Sequence, residues 1–409
     1  MKKMRKKNNL LIFIVLYLFF VSCSEKTAKN IDIVSINPNE AGDVKLSEFI
    51  DTVLYIKLQT DSACLTGVIS DVLIRDKYIY LNDMSQKSIL VFDKQGKHIS
   101  SLKRLGKGEG EYLTISGFFV DSTEQFIQIL DGFNDKLYTY KNIDFTYLKE
   151  KNVFHIVSNT VKKYNGFLYY STHRLDNIID TTSKETTNAD IIICKDNKVL
   201  KMLFAKKIVT NHNYFSIYPE SFIINDENKL FASIMFDNTF YQLNNMDAIP
   251  ILKVDFQNKG IDNKLISEES TEKQMKFIES PGNKGKAMLP FLVLNNKELM
   301  SFSYCVNVGE NANEDYSFPI EFRSYIYIKK HKKVFHAKHL INDLTDFPNE
   351  IWIRNFNKSA TVYEPWYKDY LVYIISPSFE LGNNDKILTQ SVGEIHLDDN
   401  PIIMLLKLK

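Results

Sequence analysis

The sequence predicts an all-β protein, a six-bladed β-propeller with one inserted surface helix. Three observations carry that prediction. Short alternating or β-branched runs recur along the 409-residue chain. They return at a spacing of about 40 to 50 residues, the length of one four-stranded blade. A strand-like run also stands at each end of the repeating region, where closing a ring requires one.

Before the repeats comes a leader. Lys2, Lys3, Arg5, Lys6 and Lys7 precede LLIFIVLYLFFV, an apolar run from Leu10 to Val21. This is the basic and then apolar pattern of a secretory signal, and it is shorter than the ~20 residues a membrane-spanning helix needs. The run ends in Phe20-Val21-Ser22-Cys23, which resembles a lipobox. Residues 1–22 are therefore expected to be a lipoprotein signal peptide, Cys23 the lipidated first residue, and residues 23–45 a polar tether. The propeller is expected over residues 46–409.

Loss of residues 1–22 removes five basic residues and no acidic one. The 51 Lys and Arg of the full chain then fall below its 50 Asp and Glu. With no basic tract left to displace counterions, nucleic acid is not an expected partner. The other cysteines, Cys64, Cys194 and Cys305, are too far apart for a disulfide framework or a zinc knuckle.

The strands follow in order: VLYIKL, KYIYLND, SILVFD, QFIQILD, KLYTYK, GFLYYST, ADIIIC, KLFASIMF, TFYQLN, SYIYIKK, YLVYIIS and PIIMLLKLK. Each is bounded by Asn, Asp, Gly or Lys. Helical spacing is convincing only from Asp262 to Glu279, which reads as a polar surface helix with one thin apolar stripe. The repeat is clearest where Asp83, Ile89 and Phe92 return as Asp131, Leu137 and Tyr140, about 48 residues on. Anchors at Ile89, Leu137, Ile192, Phe240, Ile326 and Ile403 count six blades. In this frame RLGKGEGEY, from Arg104 to Tyr112, is the crossover from the outer strand of one blade to the inner strand of the next. Its glycines are expected to supply positive φ values. Its spacing matches no phosphate loop, and Glu109 and Glu111 would repel an anion.

GKGEGEY ahead of ISGFFVD and after SILVFDKQGKHI resembles the six-bladed propeller lipoproteins of Gram-negative gut-type bacteria, which are similar to NHL-repeat and TolB-like propellers. The usual crossover of that family has proline where Glu109 stands. DTVLYIKLQT and NPIIMLLKLK resemble its opening and closing strands. The resemblance implies the propeller fold; with the lipobox at Cys23 the expected place is the cell envelope, anchored at the outer membrane on either its periplasmic or its surface face. The resemblance assigns no chemistry.

Candidate sites are sparse. His331, His336 and His339 lack the spacing of a helical zinc pair and lie among lysines, so they are expected to be solvated edge residues, with no metal. Glu109 with Glu111, and Asp398 with Asp399, lack the apolar surroundings that would raise one pKa. No nucleophile motif is present, and no cofactor is expected. Loops at one mouth of the channel gather Asp83, Asp131, Asn134, Arg174 and Asp237, polar groups suited to a small polar ligand, glycan, peptide or envelope protein. The aromatic cluster of Tyr363, Trp366 and Tyr367, with Trp352 upstream, is expected in the core. The sequence thus favours a non-catalytic, envelope-anchored binding propeller. The alternative is a propeller hydrolase or metal-dependent lyase acting on an exported carbohydrate or peptide.

Overall fold

Six antiparallel sheets of four principal strands each build the molecule. The computed structural model describes residues 31–173, 175–205, 221–262, 273, 276–278, 280–309, 320–351, 362–382 and 384–409. Blade 1 consists of Ile69–Ile74, Tyr78–Asp83, Ser88–Asp93 and His98–Leu102. Blade 2 follows with Gly117–Val120, Phe126–Asp131, Lys136–Lys141 and Tyr147–Asn152, and blade 3 with Thr160–Tyr164, Phe167–Ser171, Ile191–Lys195 and Lys198–Leu203. Blade 4 has Phe222–Ile224, Leu230–Ser233, Thr239–Asn244 and Asp247–Asp255; blade 5 has Ala287–Asn295, Leu299–Asn307, Ile320–Ile328 and Lys333–Ile341. Blade 6 joins Trp366–Tyr367, Tyr370–Ile375 and Ile402–Leu408 to Ile50–Lys57 from the other end of the chain. All six anchors fall on the third strand of their blades, so the sequence repeat and the blades share one phase.

The core is a ring of interfaces between blades. Successive side chains of a strand point to opposite faces, and here both faces meet a neighbouring blade. In Ile402–Leu408, Ile403 and Leu405 pack toward blade 1, while Ile402, Met404 and Leu406 pack toward blade 5. The central strands therefore read as nearly continuous apolar runs.

Ring closure follows the sequence expectation. Ile50–Lys57 runs antiparallel to Ile402–Leu408, with Val53 opposite Leu406 and Tyr55 opposite Met404. The tether expectation needs correction, because residues 31–45 carry two strands. Asp32–Ser35 adds to the outer edge of blade 4. Gly42–Lys45 adds parallel to blade 5, with Lys45 opposite Ile341. Edge addition uses main-chain groups that any residue supplies, so a polar composition did not reveal it.

Of the expected helix, Asp262 is not helical, Lys273 and residues 276–278 are, and the remainder lies outside the described residues. Ile278 packs into the interface of blades 5 and 6, with Phe277 beside it. Two small hairpins were not anticipated: Asn177–Asp180 with Glu185–Thr187, and Lys386–Thr389 with Gly393–His396. Both interrupt second-to-third-strand connections. Those connections and the blade-to-blade crossovers share one face of the ring, which carries the insertions. The opposite face has only short turns.

Candidate functional site

The residues expected at the mouth are taken up largely by the fold. Asp83 is fully buried. Its carboxylate accepts hydrogen bonds from the Gly67 amide at 2.7 Å, the Ser85 hydroxyl at 2.7 Å and the Gln86 amide at 2.9 Å. One repeat later Asp131, also fully buried, accepts from the Leu113 amide at 2.8 Å, the Thr114 hydroxyl at 2.7 Å and Asn134 Nδ2 at 2.9 Å. Each carboxylate ties the end of an incoming crossover to the turn between its blade's second and third strands. A buried carboxylate needs such donors, and its oxygens are then closed to a ligand. Asp237 is half-buried and accepts from the Thr239 amide and the Tyr241 hydroxyl, at 2.9 and 2.8 Å. Arg174 lies outside the described residues.

The glycine stretch joins blade 1 to blade 2 as expected, with Leu105 and Tyr112 pairing across its neck. Its internal logic differs from the expectation. Gly110, at φ +67°, lies in the left-handed region, whereas Gly108 has no positive φ. The Gly108 amide instead donates to Glu111 Oε2 at 2.8 Å. A carboxylate of the loop itself holds the place a phosphate would need.

The three histidines go to separate partners. His331 faces the Lys409 carbonyl, His339 meets Glu350 at 2.9 Å, and His336 bonds the Tyr304 hydroxyl. Contrary to the expectation of a solvated edge, burial and the neighbouring Arg323 bring His336 down to about 4. Tyr363 and Trp366 are buried in the core, as expected, and Trp352 lies outside the described residues. Cys64, Cys194 and Cys305 are buried free thiols, with burial pushing Cys194 up to about 12.

An open site lies elsewhere. A cleft of about 730 Å³ separates blades 2 and 3 on the face of short turns. Its floor is Gln128 and Thr139, on paired central strands of blade 2, with Gln128 Nε2 donating to Thr139 Oγ1 at 3.0 Å. Lys163 enters from the first strand of blade 3 and donates to Gln128 Oε1. Phe126 and Leu148, 38% and 40% exposed, stand at its walls.

The cleft has a sequence cause. One repeat earlier the positions of Gln128 and Thr139 hold Tyr80 and Val91, which are fully buried where blade 1 meets blade 2. Polar replacements leave the corresponding part of the next interface unfilled. Farther along the same strands Leu130 and Leu137 pack normally with Val161 and Leu168. The signal was therefore present, as a glutamine and a threonine interrupting FIQILD and KLYTYK. It carries meaning only once the blades are superposed.

Comparison with known proteins agrees with this architecture. The profile of a family described as "Domain of unknown function (DUF4934)" matches residues 28–407. A Bacteroides fragilis protein whose name assigns it to exported proteins is 17% identical, with a TM-score of 0.64 over 92% of this chain and 99% of that one. A member of the DUF4221 family from Bacteroides vulgatus is 11% identical, with a TM-score of 0.51 over 88% of this chain and 97% of that one. At these identities the likeness is one of fold. No functionally curated protein matches the chain.

Proposed function

As the chain belongs to the DUF4934 family of domains of unknown function, we propose a role for it from its own geometry: an exported propeller, lipid-anchored through Cys23, that binds a ligand in the cleft between blades 2 and 3 without transforming it. The observation that carries this reading is the cleft itself. Its volume is in the range of small-molecule sites, and it combines apolar walls with a few convergent polar groups. Among the described residues no group of three or more His, Cys, Asp or Glu is placed to hold a metal ion.

Export and anchoring rest on the leader, on Cys23 and on the resemblance to the six-bladed propeller lipoproteins of Gram-negative gut-type bacteria. The Bacteroides fragilis neighbour, named as exported, is in keeping with them. No helix among the described residues is long and apolar enough to cross a membrane.

Cys23→Ser is expected to abolish lipid labelling and release the protein from the membrane fraction, with the melting temperature unchanged. Lipid labelling of that variant would overturn the anchor. For the cleft, a thermal-shift screen of neutral and charged saccharides and short peptides is expected to yield stabilising ligands. Phe126→Ala combined with Gln128→Ala should remove their effect. Stabilisation that survives both substitutions would move the site elsewhere.

A further inference from the structure

Lys163 occupies an electrostatically incomplete position. The residue is half-buried, and its ammonium has three donors to satisfy. Among the described residues its one hydrogen-bond acceptor is Gln128 Oε1, and no carboxylate lies within ion-pairing distance. Asp121 also lines the cleft and its charge acts on Lys163 without forming an ion pair with it, because its carboxylate is engaged by the main chain. It accepts the Gln125 and Phe126 amides at 2.8 and 2.6 Å through Oδ1, and the Thr123 amide at 3.1 Å through Oδ2. Lys149 also lines the cleft and is exposed. The charged groups of the lining are thus two lysines and one carboxylate, with neither lysine paired to it.

We propose that the cleft between blades 2 and 3 takes a carboxylate-bearing saccharide, its carboxylate on Lys163 and one C–H face of a sugar ring against Phe126 and Leu148. This rests on the cleft being the binding site. A half-buried charge with no paired counter-ion is held at a cost that a bound anion lowers, and the resulting hydrogen bond is charge-assisted. Burial, and then the charge of Lys151, disfavour the protonated form of Lys163 more than the charge of Asp121 supports it, so its proton is better held once an anion arrives.

The floor favours a sugar over a peptide. An extended peptide is held by a free strand edge, but Phe126–Asp131 and Lys136–Lys141, which floor the cleft, are paired along both edges. Side-chain amide and hydroxyl groups beside an aromatic wall suit ring hydroxyls and a C–H face instead.

Calorimetric titration of the full-length protein in detergent tests this with three probes: digalacturonate, the neutral disaccharide galactobiose and the acidic tripeptide Ala-Asp-Ala. Digalacturonate is expected to bind at least tenfold more tightly than galactobiose. Lys163→Met should collapse that ratio, and Lys163→Arg should largely keep it. The wild-type ratio is informative even if the methionine variant folds poorly. Equal binding of the two disaccharides, lost in Phe126→Ala, would overturn the carboxylate inference and leave the cleft as the binding site. Lys163-dependent binding of the tripeptide alone would overturn the saccharide class. Absence of binding by all three probes would overturn the proposal.

Discussion

Removal of Ile50–Lys57 is expected to unfold the whole ring, whereas removal of residues 31–35 should leave it folded. Ile50–Lys57 covers the last central strand of blade 6, in which Ile402, Ile403, Met404 and Leu406 are fully buried. It also places Ile50 in the core and sets the Tyr55 hydroxyl 2.6 Å from Thr345 Oγ1. Fully buried apolar side chains contribute about 1.5–3 kcal/mol each. Exposing these side chains together forfeits about 7.5–15 kcal/mol, as much as the ~5–15 kcal/mol that holds a typical domain together. Asp32–Ser35, by contrast, is an edge strand with no fully buried residue, and Ile33 is 62% exposed. Its loss should cost about 1 kcal/mol or less, the scale of surface changes. Circular dichroism melts of the two truncations decide the matter: similar melting temperatures would mean that the ring is closed by other contacts.

Gly110→Val is expected to be the most damaging single substitution in the RLGKGEGEY loop. At φ +67° a β-branched residue is strained by about 1–3 kcal/mol. The new Cβ would also stand 2.6 Å from Cγ of Tyr147, an overpacking that adds about 1–3 kcal/mol. Gly108→Val meets neither obstacle in full. It needs no positive φ, and its Cβ would lie 3.1 Å from Oε2 of Glu111, the movable end of a side chain. The loss there should be about 1 kcal/mol. Urea denaturation would measure the difference, and equal losses would show that the loop's glycines act alike. Nucleotides should stabilise neither variant nor the parent, since Glu111 occupies the amide an anion would use. Stabilisation of the parent by a nucleotide, lost in both variants, would instead make the stretch a phosphate site.

Most central strands, the blade phase and ring closure were legible in the sequence because they depend on local alternation and on a repeat, whereas most first and outer strands, such as Thr160–Tyr164 and Tyr147–Asn152, were not. Ile89 and Leu137 hold the same place in successive blades since each must fill an equivalent interface. The role of Asp131 was half legible: its turn-forming position could be read, but its burial against Leu113 and Thr114 depends on a crossover folding back from earlier in the chain. Asp32–Ser35 and Gly42–Lys45 were illegible, since edge pairing is made by the main chain and leaves almost no mark on side-chain composition. Only the tertiary structure decided the cleft. Gln128, Thr139 and Lys163 come from two blades, and each alone reads as an ordinary polar interruption of a strand. Whether an interface is filled or left open depends on which side chains meet across it, and that pairing exists only after the blades have stacked.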